Sequence, residues 1–410
     1  MPSSDMPSSF FKGNRDRLFS ALKADCLILT ASGLLQRSAD QAYPFRQDSN
    51  FWYLTGLNRP DLILFKSNQA EFLIVPNSYM AELNFEEEID KEELTEISGI
   101  KEVLNNRAGW EKTASLIHNR TTIAVTMPSP MRLEHYSMYV NPARRQLYKS
   151  LKRKFRGAKL IDARLELARQ RMIKQPIEIK LIEKATDITA DTLKEVLNST
   201  RLSKYKNTEE IADDILKGFK ERGGSGHAFD PVVAAGRNAA TIHYGKYGKL
   251  TGSELIVCDV GAEFSSYCSD ITRTVSYGRP TAKQQEVHGA VKSVQGEILE
   301  LIKPGLDFKT YEIQVVHLVG LKLKELKLID KLTSRQIRQY YPHSCSHSVG
   351  LDAHDSADYS QKMAENMVIT VEPGIYIKEE NIGVRIEDTV LITKDGVKVL
   401  SSHLPNSLSF

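Results

Sequence analysis

Cysteine is scarce: Cys26, Cys258, Cys268 and Cys345 are the only four in 410 residues, and no C-x-x-C pair occurs. Such scattered thiols exclude a disulfide framework and are expected to stay free in a reducing compartment, which points to a cytoplasmic protein. No apolar run approaches the roughly 18 residues needed to cross a bilayer. The opening MPSSDMPSSF has neither a basic n-region nor an apolar core, so no secretory leader is expected. A charge excess is also missing: 55 basic and 52 acidic residues leave +3, which gives no electrostatic case for a nucleic-acid partner. Short-period repeats and low-complexity tracts are absent.

With 41% hydrophobic and 26% charged residues, the chain reads as an ordinary globular protein with room for about two or three domains. In the first part, Asp25 to Ala31, Leu62 to Ser67, Glu71 to Pro76 and Thr121 to Thr126 read as buried strands. Helix-like stretches lie between them, including the acidic run from Glu86 to Glu96, and together they form an α/β pattern. The basic stretch from Arg132 to Lys159 carries no glycine-rich loop, so it reads as the solvated face of a helix. Pro176 is expected to open an amphipathic helix running to about Asn198, with Asn207 or Thr208 capping the next. Glycine-punctuated strands follow from Phe229 to Tyr277, then helices near Thr281 to Ile302 and Phe308 to Leu328. The polar stretch from Lys322 to Tyr341 reads as a basic loop, and strands return from Val368 to about Leu400. The domain boundary is expected near residue 172, giving domains 1–172 and 173–410.

Two segments of the second part each carry a pair of acids. In CDVGAEFSSYCSDITRT, a hairpin centred near Phe264 and Ser265 would set Asp259 opposite Asp270. In TVEPGIYIKEENIGVRIEDTVLI, a turn on Glu379 and Glu380 would set Glu372 opposite Glu387. Opposed residues share a face, and two carboxylates held together repel unless a cation lies between them. One such pair alone would suit a sheet edge; two pairs inside apolar strands need partners to offset their desolvation.

Between the hairpins, HSCSHSVGLDAHD places His343, His347 and His354, three of the chain's 10 histidines, within one short block. Neutral imidazole is a common metal ligand and proton carrier, whereas a thiolate zinc site would need more cysteines than Cys345 alone. One histidine with four carboxylates is an oxygen-rich set that favours a hard ion such as manganese, with cobalt or zinc as alternatives. Four acids exceed the needs of one catalytic ion, so two divalent ions about 3.5–4 Å apart fit better, polarising a carbonyl and supplying the attacking water near neutral pH. The degenerate RGGSGHAF lacks the strand–turn–helix context of a serine-hydrolase elbow. His243, read on a strand-to-loop edge, suggests a structural role when taken alone.

The run Asp259 to Thr274, the histidine block His343 to His354, TVEPGIY around Glu372 and GVRIED around Glu387 occur in an order that resembles the pita-bread metallopeptidases. That family includes aminopeptidase P, prolidase, methionine aminopeptidase and creatinase. The stretch from Arg37 to Asp61 is similar to the amino-terminal domain of bacterial-type aminopeptidase P. The resemblance implies an α/β amino-terminal domain followed by an α+β pita-bread catalytic domain, and hydrolysis of the peptide bond before a penultimate proline. Prolidase activity, or a binding module without catalysis, stands as the alternative. It further implies that Asp259 is a bidentate ligand of one metal, that Asp270 and Glu387 bridge two, and that His347 and Glu372 complete the second. Glu372 would also accept the water's proton. His343 and His354 would flank and hold the substrate and stabilise the tetrahedral intermediate, His243 would sit at the substrate mouth, and Arg385 would support the carboxylates as a further catalytic residue. A dimer or tetramer, proline-containing peptide substrates and no membrane association complete the expectation.

Overall fold

A computed structural model of the chain describes residues 6–77, 89–134 and 137–410 and divides it into two compact units, Met1–Gln170 and Arg171–Phe410. In the first unit, the apolar runs read from the sequence become strands of one mixed sheet. Its order is Lys159–Asp162, Thr122–Val125, Cys26–Thr30, Ile63–Ser67, Glu71–Ile74 and Val103–Leu104. The first three strands run parallel, and the pairings of Cys26–Thr30 with Ile63–Ser67 and of the latter with Glu71–Ile74 are antiparallel. Cys26, Ile28, Phe65, Phe72, Ile74, Ile123 and Val125 fill one core, which explains why these runs alternate little: both faces of the sheet are covered.

Leu147 and Leu151 of the helix Ala143–Lys154 face that core at i, i+4 spacing, while Lys152, Arg153 and Lys154 are exposed in its last turn. The basic stretch is therefore the outer face of a helix, and its terminal charges favour the negative end of the helix dipole. Of the acidic run, Glu86 to Glu88 lie outside the described residues. The rest enters the helix Lys91–Ser98, which Asp90 caps by accepting from the amides of Glu92 and Glu93.

The second unit is α+β. The helix Pro176–Val196 starts at Pro176, and the Gln175 amide donates to the Glu178 carboxylate at 2.9 Å. Asn207 caps Thr208–Glu221, and Thr281 and Gln284 form a reciprocal capping box on Ala282–Leu301. Phe308–Glu325 packs beside the latter through Val315, Val319 and Leu323. The expected basic loop from Lys322 to Tyr341 contains a further helix, Ser334–Tyr340. Thr333 caps it, and Ile337 is buried against Gly320, an apolar anchor that the surrounding charges obscured in the sequence.

Two antiparallel three-stranded sheets carry the acids. One has the order Val232–Ala235, Glu254–Val260, Ile271–Tyr277; the other has Val368–Val371, Asp388–Ile392, Val397–Val399. A bridge between Thr272 and Glu387 joins them. The hairpin Gly374–Ile377 with Ile382–Arg385 rests on the 3-10 turn Gly236–Ala240. Gly383 makes that approach possible, since a Cβ there would collide with the Ala239 carbonyl. Gly383→Ala is expected to cost about 1–3 kcal/mol through overpacking. The melting temperature should fall by roughly 2–10 °C, as scanning calorimetry would measure.

Candidate metal centre

Register decides which acids meet. The second hairpin pairs Gly374 with Arg385 and Ile377 with Ile382, and the adjoining ladder pairs Val371 with Asp388. Glu372 and Glu387 therefore stand opposite each other, as the sequence pattern indicates. The first hairpin differs by one residue at its turn. Asp259 pairs with Thr272, and Glu263 pairs with Cys268. The turn lies on Ser265 and Ser266, both with positive φ (46° and 69°), the backbone of a two-residue hairpin loop. Asp270 is thus two residues out of register with Asp259. Because side chains alternate along a strand, a shift of two still leaves both acids on one face.

The donors converge. Ligand atoms of Asp259, Asp270 and Glu387 lie within 4.8 Å of one another, as do those of His347, Glu372 and Glu387, and those of Asp270, His347 and His354. His347 Nε2 is 3.5 Å from Asp270 Oδ2 and 3.4 Å from Glu372 Oε1. His347 Nδ1 faces its neighbour's carbonyl, Ser348 O, at 3.2 Å. Assigning the proton to Nδ1 makes that contact a hydrogen bond and leaves a lone pair on Nε2 aimed at the acids.

Burial pushes the carboxyls of Asp270, Glu372 and Glu387 up, Glu372 to about 8. Mutual repulsion adds to this at Asp270 and Glu387, and the charge of Asp259 adds to it at Glu372, where Arg385 opposes the rise. Burial also pushes His343 and His347 down to about 3, so both are neutral near pH 7. Buried acids that resist ionisation beside a neutral imidazole fit a divalent cation, which would neutralise the first and bind the second. The oxygen-rich donor set fits the two-ion site expected from the sequence.

Arg385 is fully buried and donates to Asp259, to Tyr376 Oη at 2.9 Å and to Thr272 Oγ1 at 3.0 Å. Arginine only donates, so the Tyr376 hydroxyl donates in turn to His343 Nε2 at 3.0 Å, and His343 Nδ1–H donates to Ser344 O at 2.8 Å. Both nitrogens of His343 are thereby engaged, with Glu372 Oε2 3.7 Å from Nδ1. The His354 ring lies tilted against that of His347, with centroids 4.0 Å apart, and is exposed. His243 is an exposed turn residue beyond the 3-10 helix Gly236–Ala240 rather than the edge of a strand; the strand before it stops at Ala235.

Several supporting residues escaped the sequence reading. Thr272 Oγ1 donates to Glu387 Oε2 at 2.6 Å; Thr370 Oγ1 donates to Glu372 Oε1 at 3.3 Å and accepts from the His347 amide at 3.1 Å. Thr389 Oγ1 donates to Asp270 O at 2.7 Å. Each lies two positions from a donor (270 and 272, 370 and 372, 387 and 389), and Tyr376 lies four from Glu372, so a period-two search from the acids would have found all four. Arg273 adds backbone support, donating to Glu387 O at 2.7 Å and to Asp388 Oδ1 at 2.6 Å. Thr272→Val removes both the donor to Glu387 and the acceptor for Arg385, and should weaken metal binding about 10–100-fold. Metal titration of chelated protein, read as recovered activity, would measure it.

The chain is similar to known proteins over nearly its whole length. The model of metallopeptidase family M24 matches residues 180–394, and that of the aminopeptidase P N-terminal domain matches residues 11–125. A Xaa-Pro aminopeptidase of Haemophilus influenzae is 31% identical, covering 98% of this chain and 96% of its own length. Proline aminopeptidase P II from Yersinia pestis superposes with a TM-score of 0.82 at 27% identity over 98% of both chains. Zinc-substituted Escherichia coli aminopeptidase P, solved with product, gives 0.83 at 25% identity, over 99% of this chain and 97% of that one.

Proposed function

The chain belongs to metallopeptidase family M24, and from that premise we propose that it is a Xaa-Pro aminopeptidase, removing the first residue of peptides whose second residue is proline. The observation that carries this reading is the meeting of Asp259, Asp270, His347, Glu372 and Glu387 in one cluster, in a chain that also carries the aminopeptidase P-type amino-terminal domain. We assign that domain to residues 1–172 and the pita-bread catalytic domain to residues 173–410.

Asp259, Asp270 and Glu387 would hold one divalent ion. His347 and Glu372, sharing Asp270 and Glu387, would hold a second; the hard oxygen donors favour Mn2+. When bound, such a pair supplies Lewis acidity toward the scissile carbonyl and lowers the pKa of water. The remaining work falls to the chain. Glu372, held by Thr370, takes up the proton released on attack. Arg385 fixes Asp259 and, through Tyr376, the ring of His343. His354 offers ring nitrogens that carry no hydrogen bond among the described residues, and it flanks the substrate with His343. His243 lines the mouth. Proline lacks an amide N–H and has a fixed φ, so general peptidases handle the bond before it poorly, and a dedicated site is needed.

The test is peptide cleavage by chelated protein with and without added Mn2+. A Xaa-Pro-Xaa tripeptide, a Xaa-Pro dipeptide and a proline-free tripeptide would be offered. Mn2+-restored release of the first residue from the proline tripeptide is the expected result. Cleavage of the dipeptide alone would make the protein a prolidase, and failure on all three peptides with metal bound would return it to the binding-module reading. We also propose a homo-oligomer, which a monomeric mass in light scattering would refute. A cytoplasmic location is proposed as well, in keeping with four free, buried cysteines. No helix among the described residues is long and apolar enough to cross a membrane.

A further inference from the structure

His354 poses a positional problem. Its side chain is exposed and makes no hydrogen bond among the described residues; its one ring contact is with His347. Nothing polar on the ring sets its direction, so the backbone on either side must. That backbone is anchored from below by an ion cluster outside the metal centre.

Asp355, the next residue, points inward with its side chain 2% exposed. One carboxylate oxygen accepts from Arg171 Nη2, and the other accepts from Lys174 Nζ at 3.0 Å. Both cations are themselves buried, at 2% and 1%. Arg171 Nη2 also reaches Asp352 at 2.9 Å, and Lys174 Nζ reaches Ser348 Oγ at 3.2 Å.

The loop closes on this cluster. The Asp355 amide donates to Ser348 O at 2.8 Å, and the Gly350 amide donates to Asp352 O at 3.0 Å. A Cβ on Gly350 would collide with the Asp355 carboxylate, so glycine is required for the loop to wrap around it. The same loop is tied to the hairpin that precedes Asp270: the Cys268 amide donates to Gly350 O at 2.7 Å. Lys174 is fixed in turn, its amide donating to Asn366 O at 2.9 Å.

Burying three charges is costly, and a cluster held only for stability could be replaced by apolar side chains of similar volume. Its location, one residue from His354 and closing the loop that begins one residue after His347, gives it a second use. We infer that Asp355 is a positioning residue for the reaction: clamped between Arg171 and Lys174, it fixes the loop that holds the His354 ring against His347 and toward the donor cluster. The inference rests on the role proposed above for His354.

The experiment is a double-mutant cycle on the Mn2+-loaded full chain, reading kcat on the proline tripeptide. D355N should lower kcat about 10–100-fold, the loss typical of a lost orienting partner, with KM changed much less. In an H354A background the same D355N change should lower kcat by less than about twofold, because the residue through which it acts is gone. Multiplicative losses, or a D355N enzyme with wild-type kcat and a lowered melting temperature, would overturn the inference and leave the cluster purely structural. H354A alone at the wild-type rate would instead sink the reading of His354. If D355N does not fold, K174M enters the same cycle with the same expectations, since it keeps the Arg171–Asp355 pair. R171K, which preserves the charge on Asp355, should lower kcat less than D355N does.

Discussion

Turnover should fall at least about 10³-fold in Glu372→Ala, with the fold intact. Two losses combine in this variant. General-base contributions are typically 10²–10⁴-fold, and a cation donor disappears with the proton acceptor. Glu372 Oε1 stands 3.4 Å from His347 and 3.3 Å from Thr370, and no other described acid reaches both His347 and His343. The fold should survive because Glu372 is anchored through its backbone, its amide donating to Cys345 O at 3.0 Å. Its partly buried side chain is moreover a source of repulsion in the metal-free protein. Calorimetry should therefore find the metal-free variant at least as stable as the metal-free wild type, while the metal-loaded variant gains less from added Mn2+. Wild-type kcat in this variant would refute the assignment of Glu372 as proton acceptor.

The second large effect is metal removal. Chelation should abolish cleavage, and Mn2+ should restore it. It should also expose a pH dependence of stability. In the metal-free chain Asp270, Glu372 and Glu387 bind protons more tightly folded than unfolded. Their contribution is present below the unfolded values, about 3.8 for Asp270 and 4.5 for the glutamates, and is lost as pH rises, toward about 8 for Glu372. His343 and His347 act oppositely: neutral when folded and protonated when unfolded, they add stability as pH rises from about 3 to 6.5 and nothing further above it. Between pH 6.5 and 8 only the carboxyls count, and stability should fall. Glu372 alone accounts for about 2 kcal/mol over this range, roughly 4–8 °C in melting temperature. With Mn2+ bound, the same acids are neutralised by the ions and the decline should vanish. A metal-free melting temperature that rises across this window would show that the acids are already charge-compensated without a cation.

What could be read from residue order was governed by local rules. The strands of the first unit announced themselves as short apolar runs, and Pro176, Asn207 and Thr281 marked helix starts by backbone chemistry that acts within four residues. The opposition of Glu372 and Glu387 was legible because apolar alternation flanks the Glu379–Glu380 turn symmetrically. The turn of the Asp259 hairpin is one residue later than its sequence suggests because serine gives no strong turn signal, although Ser265 and Ser266 both adopt positive φ here. The helix Ser334–Tyr340 hid behind its charges, since a single buried Ile337 makes no periodicity. Other features were never local. Thr272 meets Glu387 across 115 positions, Arg385 meets Asp259 across 126, and Asp355 is clamped by Arg171 from 184 positions away. The sequence by itself determined the kinds of donor, their order and their alternation along strands, because those follow from backbone periodicity. Only the tertiary structure decided which donors converge and which buried charges hold them, because register between sheets and burial of charged side chains are settled by packing between distant segments.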